Sequence, residues 1–358
     1  MLSPSTMQSV HGGDLVRAAK RLGVVSGQLL DASASLVPFM PRLSWRNLQR
    51  GLRDYPDRSH FSIRQALAEI HQLDPQWILP GNGAAELFTW AARDASALGA
   101  NVSASPCFAD YQRALACWDA SLNGFPLCLR WDEVFPQHFA SPSPASVLWI
   151  CNPHNPTGQL WSRESLEPLL QQFALVICDE AFLSLVPNGE VQSLIPLVED
   201  HPNLVVVRSL TKLYAVAGLR LGYAIAHPDR LNRWSAWRDP WPVNGLALAA
   251  ANQLLGDPES YRRWCRRVHR WVHREGAWMH QCLEELPGIT PMPSAVNFCL
   301  IRGEQSLVSL RERVERHHGV LLRDCRSFEG LGDNWLRIGL QDRRGNRRIL
   351  KALKKELS

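Results

Sequence analysis

Four short apolar runs rich in β-branched residues stand at 147–151, 175–178, 204–207 and 221–225, and the stretches between them carry apolar positions at helical spacing. Runs without polar alternation read as strands buried on both faces, and their alternation with helical segments predicts βαβ units in a mainly parallel sheet, an α/β fold. Between the first two runs, Ser162 stands at an N-cap position, Glu164 falls in the first turn, and Leu166, Leu169, Leu170 and Phe173 form an apolar stripe; the pattern predicts a crossover helix. Upstream, 62–72 has helical character, and Gly81-Asn82-Gly83 breaks the chain before an apolar helix over 84–97. A loop feeding a helix N-terminus is a natural anion site, because unpaired amides and the helix dipole point the same way.

Further along, Trp264, Val268, Trp271, Trp278 and Cys282 recur at helical intervals and predict one buried stripe of a long helix. Arginines 262, 263, 266, 267, 270 and 274 fall on its other faces, so this most basic window reads as a solvated amphipathic helix rather than an RNA-binding face. Beyond it, 296–301 reads as a strand, 307–317 as a helix, 320–322 and 335–340 as strands, and 344–357 as a closing helix, an α+β pattern expected of a second domain. The break is expected near 238–244, where Asp239-Pro240-Trp241-Pro242 prevents regular structure on the way into the long helix.

With 358 residues, 46% apolar and 20% charged, the chain is long enough for a large core and too apolar for disorder. It shows no apolar stretch of membrane-crossing length, and Met1 to Asp14 lacks the basic-then-apolar order of a secretory signal, so the cytoplasm is the expected location. Nine cysteines, among them Cys128, include no C-x-x-C pair, which argues against structural zinc and a disulfide framework; Cys151, Cys178 and Cys299 lie in apolar runs and read as buried thiols. A net charge of +5 suits an anionic small molecule as well as nucleic acid.

Four features follow in order along the chain: Asn152-Pro-His-Asn-Pro-Thr-Gly158 after the first run, Asp179-Glu180 closing the second, Ser209-Leu-Thr-Lys212 after the third, and Gly218-Leu-Arg220 before the fourth. In an open parallel sheet, ligands collect beyond the carboxyl ends of the strands, where these features fall. Together they bring an amine, hydroxyls and a guanidinium around one small anion, the groups pyridoxal phosphate needs. Lys212 can bond the cofactor aldehyde if its neighbours lower its pKa. Asp179 can keep the pyridine nitrogen protonated, which makes the ring an electron sink. Asn155 can donate to the phenolic oxygen, while Ser209, Thr211, Arg220 and the amides of Gly83, Ala84 and Ala85 can hold a phosphate. Each residue alone is weak evidence, since most lysines are solvated and an aspartate after a strand is commonly a cap; the ordered set is strong.

At these residues the chain resembles the aspartate-aminotransferase-like, fold-type-I pyridoxal phosphate enzymes, and within them the branch of histidinol-phosphate aminotransferases and threonine-phosphate decarboxylases. The resemblance covers nearly the whole chain. It implies a large cofactor-binding domain over 46–250 with a seven-stranded, mostly parallel sheet, a smaller α+β domain built from both chain ends (1–45 and 251–358), and a homodimer with shared active sites. It also implies that Phe108, in Ser105-Pro-Cys-Phe-Ala-Asp-Tyr111, stacks on the cofactor ring. Tyr55, in Asp54-Tyr-Pro-Asp57, would reach the neighbouring subunit's cofactor phosphate, and Arg337, in Trp335-Leu-Arg-Ile338, would grip the substrate carboxylate.

Two local patterns are similar to the decarboxylase side of that branch, which makes aminopropanol phosphate from threonine phosphate in cobalamin biosynthesis. His11-Gly-Gly-Asp14 followed by Asp31-Ala-Ser-Ala-Ser35 implies that the backbone amides of Gly12 and Gly13 approach the substrate phosphate and that Ser35 lies among the substrate-binding residues. Leu322-Arg-Asp-Cys325 implies that Arg323 reads that phosphate with its planar fork of donors. The aminotransferases also carry an arginine in this region, so Arg323 points to a phosphorylated amino-acid substrate more directly than to a reaction type. Asp14 and Ser35 stand where those decarboxylases often have asparagine, and Phe182 stands where many aminotransferases have a tyrosine. The expected activity is decarboxylation of L-threonine O-3-phosphate, with histidinol-phosphate transamination as the alternative. A nucleic-acid-binding regulator on the same fold is a remote third reading, because too little chain precedes Tyr55 for a helix-turn-helix domain and no recognition motif is visible. Neither a metal nor a membrane is expected.

Overall fold

The computed structural model describes residues 12–127, 134–140 and 145–357; His11 and Cys128 lie outside the described residues. After a two-residue strand β1 (Leu30–Asp31), the chain builds one sheet from β2 (Ile78–Asn82), β3 (Asn101–Ser105), β4 (Leu122–Pro126), β5 (Val147–Cys151), β6 (Leu175–Asp179), β7 (Leu204–Ser209) and β8 (Leu221–Ala226). Its seven strands lie in the order β2-β8-β7-β6-β5-β3-β4. Strands β5 to β8 are buried along their whole length, as their uninterrupted apolar runs require.

Pairing is parallel from β4 through β7, whereas β8 runs antiparallel to both β7 and β2. The run at 221–225 is thus the exception in the expected parallel sheet. Its cause is the connection 210–220, which holds only the short helix Leu210–Tyr214 and one further turn; a right-handed crossover needs a dozen or more residues.

Three expectations change. Gly81 and Asn82 belong to β2, and Gly83 opens helix α1 (Gly83–Ser96), so a strand enters the helix directly with no intervening loop. Between β5 and β6 the helix is a single α turn, Arg163–Leu166, which tightens into a 3-10 segment, Glu167–Gln171. Pro168 lacks the amide an α-helix would use there. The Ser162 cap is present and Leu166, Leu169, Leu170 and Phe173 are all buried, so the stripe survives without the helix. Lastly, the break at 238–244 leads first into a helix, Gly245–Leu255, and only then into the long helix.

That helix, α2 (Pro258–Glu284), is capped by Asp257, whose carboxylate accepts from the amides of Glu259 and Ser260 at 3.1 Å each. Its buried stripe runs through Tyr261, Cys265, Val268, Trp271, Val272, Glu275, Met279 and Leu283, so Val268 and Trp271 are buried as expected. Trp264, Trp278 and Cys282 lie half-buried along the margins of that stripe. Arg262 and Arg266 pair with Glu259, and Arg263 with Asp257, on the solvated side.

The second sheet is antiparallel, ordered β12 (Arg323–Asp324), β13 (Trp335–Gly339), β10 (Phe298–Gly303) and β9 (Ile289–Pro291). Strand β11 (Val320–Leu321) pairs in parallel with β1, Leu30 against Val320, which brings the two ends of the chain together. The closing helix α3 (Arg343–Leu357) contacts α2. Among the described residues no helix is long and apolar enough to cross a membrane.

Candidate active site

Asp179 ends β6, Ser209 ends β7, and Asn152 follows β5; because β8 is antiparallel, Arg220 precedes its start at the same edge of the sheet. There the chain brings Gly83, Ala84, Ala85, Phe108, Asn155, Asp179, Ser209, Thr211, Lys212 and Arg220 around one cavity of about 400 Å³, together with Gly12, Ser35, Arg323 and Arg337 from the chain ends. Two expected residues are not in its lining. Gly13 lines an adjoining cleft, with its amide already donating to Ser33 Oγ at 2.9 Å. Tyr55 is 80% exposed and stacks on Trp241, with ring centroids 4.4 Å apart. A larger cavity of about 750 Å³, lined in part by Phe298, holds none of the lysine, aspartate and arginine set.

Asp179 is buried, and burial raises its carboxyl to about 6 against the opposing effects of hydrogen bonds from Tyr111 and the Ala181 amide and the charge of Lys212. Tyr111 donates its hydroxyl to Asp179 Oδ2 at 2.6 Å, and Ala181 N–H donates to Oδ1 at 2.9 Å, so the carboxylate has one orientation. The sequence reading missed Tyr111. Its signal was the spacing from Phe108, which allows both rings to pack together at the start of the helix Ala109–Ala116; their centroids lie 5.7 Å apart. Glu180, next along, turns away from the cavity and into a buried pair with Arg208, 2.7 Å.

Lys212 lies in the helix that leaves β7. Burial, then the positive charges of Arg337 and Arg220, lower its ammonium to about 8. Phe182, in the position of interest for transamination, brings a bare ring 5.7 Å from Lys212 Nζ and packs edge-on against Phe298. Ser209 Oγ and Thr211 Oγ1 are 2.7 Å apart and buried. Across from them, Gly83 has φ +73°, and a Cβ there would fall 2.6 Å from Arg220 Nη2. The glycine therefore leaves room for a guanidinium at the head of α1, the arrangement an anion needs.

Arg337 donates to Asn155 Oδ1 and to the Ser33 carbonyl. Burial and then Arg323 lower its guanidinium to about 10. Its Nε and the hydroxyl of Ser35, both buried, have no hydrogen-bond partner among the described residues, and both residues line the cavity. Buried donors of this kind call for a ligand. Asp14, one of the departures from the expected asparagine, caps the helix Leu15–Leu22 by accepting from Arg17 N–H at 3.0 Å.

A lysine attacks a carbonyl only as the neutral amine, and burial together with the charges around Lys212 makes that form accessible near neutral pH; a carbonyl cofactor working on amino groups is the class of enzyme this edge of the sheet defines. The chain belongs to the aminotransferase class I and II family, whose model matches residues 22–353. It is 34% identical to the threonine-phosphate decarboxylase of Salmonella typhimurium, over 98% of this chain and 97% of that protein. It is also 34% identical to the histidinol-phosphate aminotransferase of Symbiobacterium thermophilum, over 85% of this chain and 82% of that one. Among solved structures, L-threonine-O-3-phosphate decarboxylase from Porphyromonas gingivalis superposes with a TM-score of 0.75 at 27% identity, covering 89% of this chain and 98% of that one.

Pyridoxal phosphate is the cofactor, and the cradle fits it. The Gly83 gap beside Arg220, with Ser209, Thr211 and the head of α1, suits its phosphate, Asp179 suits its ring nitrogen, Phe108 its ring face, Asn155 its phenolic oxygen and Lys212 its aldehyde.

Proposed function

We propose that this chain decarboxylates L-threonine O-3-phosphate to (R)-1-amino-2-propanol O-2-phosphate, a step of cobalamin biosynthesis, as a cytoplasmic homodimer with shared sites. One observation carries the choice of substrate: Arg323 and Arg337 are register partners on β12 and β13, and both line the cavity. Directly opposed residues of an antiparallel pair share a face of the sheet. Two guanidinium groups on one face of a cavity suit a ligand with two anionic groups. Threonine phosphate brings a carboxylate and a phosphate, one for each arginine, whereas histidinol phosphate brings the phosphate alone. The two relatives are equally identical to this chain, but the match to the decarboxylase spans more of it.

When bound, pyridoxal phosphate supplies an electron sink conjugated to the substrate's amino group. Arg337 binds the carboxylate and Arg323 the phosphate, and a substrate held at both ends presents its Cα in one orientation. That orientation selects the bond to be broken. The Cα–carboxylate bond cleaves with its electron pair left on the Cα side, carbon dioxide departs, and Lys212 Nζ delivers a proton to Cα. With its ammonium near 8, Lys212 carries that proton at neutral pH and still releases it readily. Asp179 stays with the ring nitrogen and holds its proton in place.

Purified, cofactor-loaded protein should release carbon dioxide from threonine phosphate. Formation of glutamate from histidinol phosphate and 2-oxoglutarate, with no carbon dioxide from threonine phosphate, would overturn the proposal in favour of transamination.

A further inference from the structure

Asp31, at the end of β1, closes a tight turn: its Oδ1 accepts from Ser33 N–H at 2.9 Å, from Ala34 N–H at 3.2 Å and from the Ser33 hydroxyl at 2.6 Å. Ser33, aimed by this turn, reaches in two directions. Its Oγ accepts from Gly13 N–H at 2.9 Å, and its carbonyl accepts from Arg337 Nη2 at 3.1 Å. Gly12 lies so close that a Cβ on it would stand 2.4 Å from the same carbonyl oxygen. Gly12, Ser33 and Arg323 line both the main cavity and the adjoining cleft of about 270 Å³. Ser33 is only 7% exposed, so water competes little for these bonds.

Arg337 is the carboxylate end of the site, while Arg323 and the Gly12–Gly13 segment stand at its phosphate end. A single residue is bonded to both. We infer that Ser33 is a specificity-determining positioning residue that fixes the separation between the carboxylate grip and the phosphate-side wall. The site thereby measures the length of a phosphorylated α-amino acid, taking a phosphate carried on the β-carbon's oxygen and disfavouring one carried a methylene further out. This deepens the proposed reading of the substrate and rests on it. Ser33 acts through Arg337 and Gly13, and its effect belongs to the ratio of two ligands rather than to the affinity for either.

Stopped-flow absorption of the cofactor-loaded enzyme, mixed with O-phospho-L-threonine or with O-phospho-L-homoserine, gives an affinity for each ligand before turnover. The wild type should favour phosphothreonine. Ser33→Ala should narrow that preference by about tenfold, the worth of one well-shielded hydrogen bond. Asp31→Ala should narrow it likewise, whereas Asp31→Asn, which keeps an acceptor oxygen at Oδ1, should retain the wild-type ratio. Melting temperature and cofactor content show that each variant is folded and loaded, and the Asp31 pair serves if Ser33→Ala is not. Equal loss of both affinities, with the ratio unchanged, would mark Ser33 as merely structural and overturn the inference, as would a wild type that binds the two ligands alike. A wild type that prefers phosphothreonine but releases no carbon dioxide would sink the decarboxylase reading and leave the gauge standing.

Discussion

Lys212 and Asp179 are buried beside one cavity, and desolvation moves each toward its neutral form, the amine down to about 8 and the carboxyl up to about 6. Borohydride reduction of the loaded enzyme followed by peptide mapping should place the cofactor adduct on Lys212, and an adduct on any other lysine would refute that role. For Asp179 the linkage has a definite sign. The folded protein binds more protons than the unfolded chain between the ordinary carboxyl value of 3.8 and about 6, so the contribution of Asp179 to stability is fully present below 3.8 and lost as pH rises through 6. Asp179→Asn should therefore raise the melting temperature of cofactor-free protein at pH 7 while slowing decarboxylation by about 10²- to 10³-fold, the scale of one electrostatic catalytic group. A variant with near-normal turnover, or one that melts lower at pH 7, would contradict this. Lys212, Asp179, Asn155 and Arg220 were legible in the sequence because their order along the chain follows the order of strand ends. Tyr111 and Ser33 were not, since a tyrosine and a serine are common residues whose meaning here comes from partners brought near only by folding.

Strands β12 and β13 each present one arginine to the cavity, and the two should fail differently. Arg323→Ala removes a charge-assisted contact worth about 2–3 kcal/mol and should narrow the preference for threonine phosphate over threonine. Arg337→Ala should weaken both substrates alike, as both carry the carboxylate. Equal losses for the two substrates in Arg323→Ala would remove it as the phosphate reader. Elsewhere, α2 is pinned to α3 by Glu275, which is buried and accepts from Arg343 at 2.9 Å and from Asn346 at 3.1 Å. Burial opposes its charge, but these partners hold its carboxyl below the ordinary 4.5, so its contribution is present above that value and lost as pH falls through the lowered one. Glu275→Ala should cost about 2–4 kcal/mol in denaturant unfolding at pH 7, because Arg343 and Asn346 lose a buried acceptor. A loss under about 0.5 kcal/mol would show the pin to be idle. Val268 and Trp271 were read correctly from the sequence, but Glu275, a carboxylate on the buried stripe, makes Trp264 and Trp278 at its margin look like part of its centre. The strands β5 to β7 were plain because both faces are buried, whereas β2, with two glycines and a proline near or within it, carries little apolar signal.

At the scale of the whole molecule, Tyr55 stands outside the cavity, and the same stretch of chain exposes Met40, Trp45, Leu52 and Phe61. Exposed large apolar groups in such number fit a surface that a second subunit covers. If Tyr55 serves the neighbour's site, mixing inactive Lys212→Ala protein with an inactive Tyr55→Ala protein should restore partial activity through hybrid dimers that contain one intact site. No recovery despite demonstrated subunit exchange would count against shared sites.

The parallel pairing of Leu30 with Val320 has a consequence in time. The cofactor-holding sheet is complete in the chain once Ala226 has been made, but the arginines to which we assign the substrate belong to strands that begin at Arg323 and Trp335, and the segment from Asp31 to Ser35 waits from early in synthesis for the partners they provide. On the ribosome, Lys212 and Asp179 are translated before either arginine of β12 and β13. A message cut short before Trp335 would encode Lys212 and Asp179 without Arg337, which in the proposed reading is the chemistry without the means to aim it.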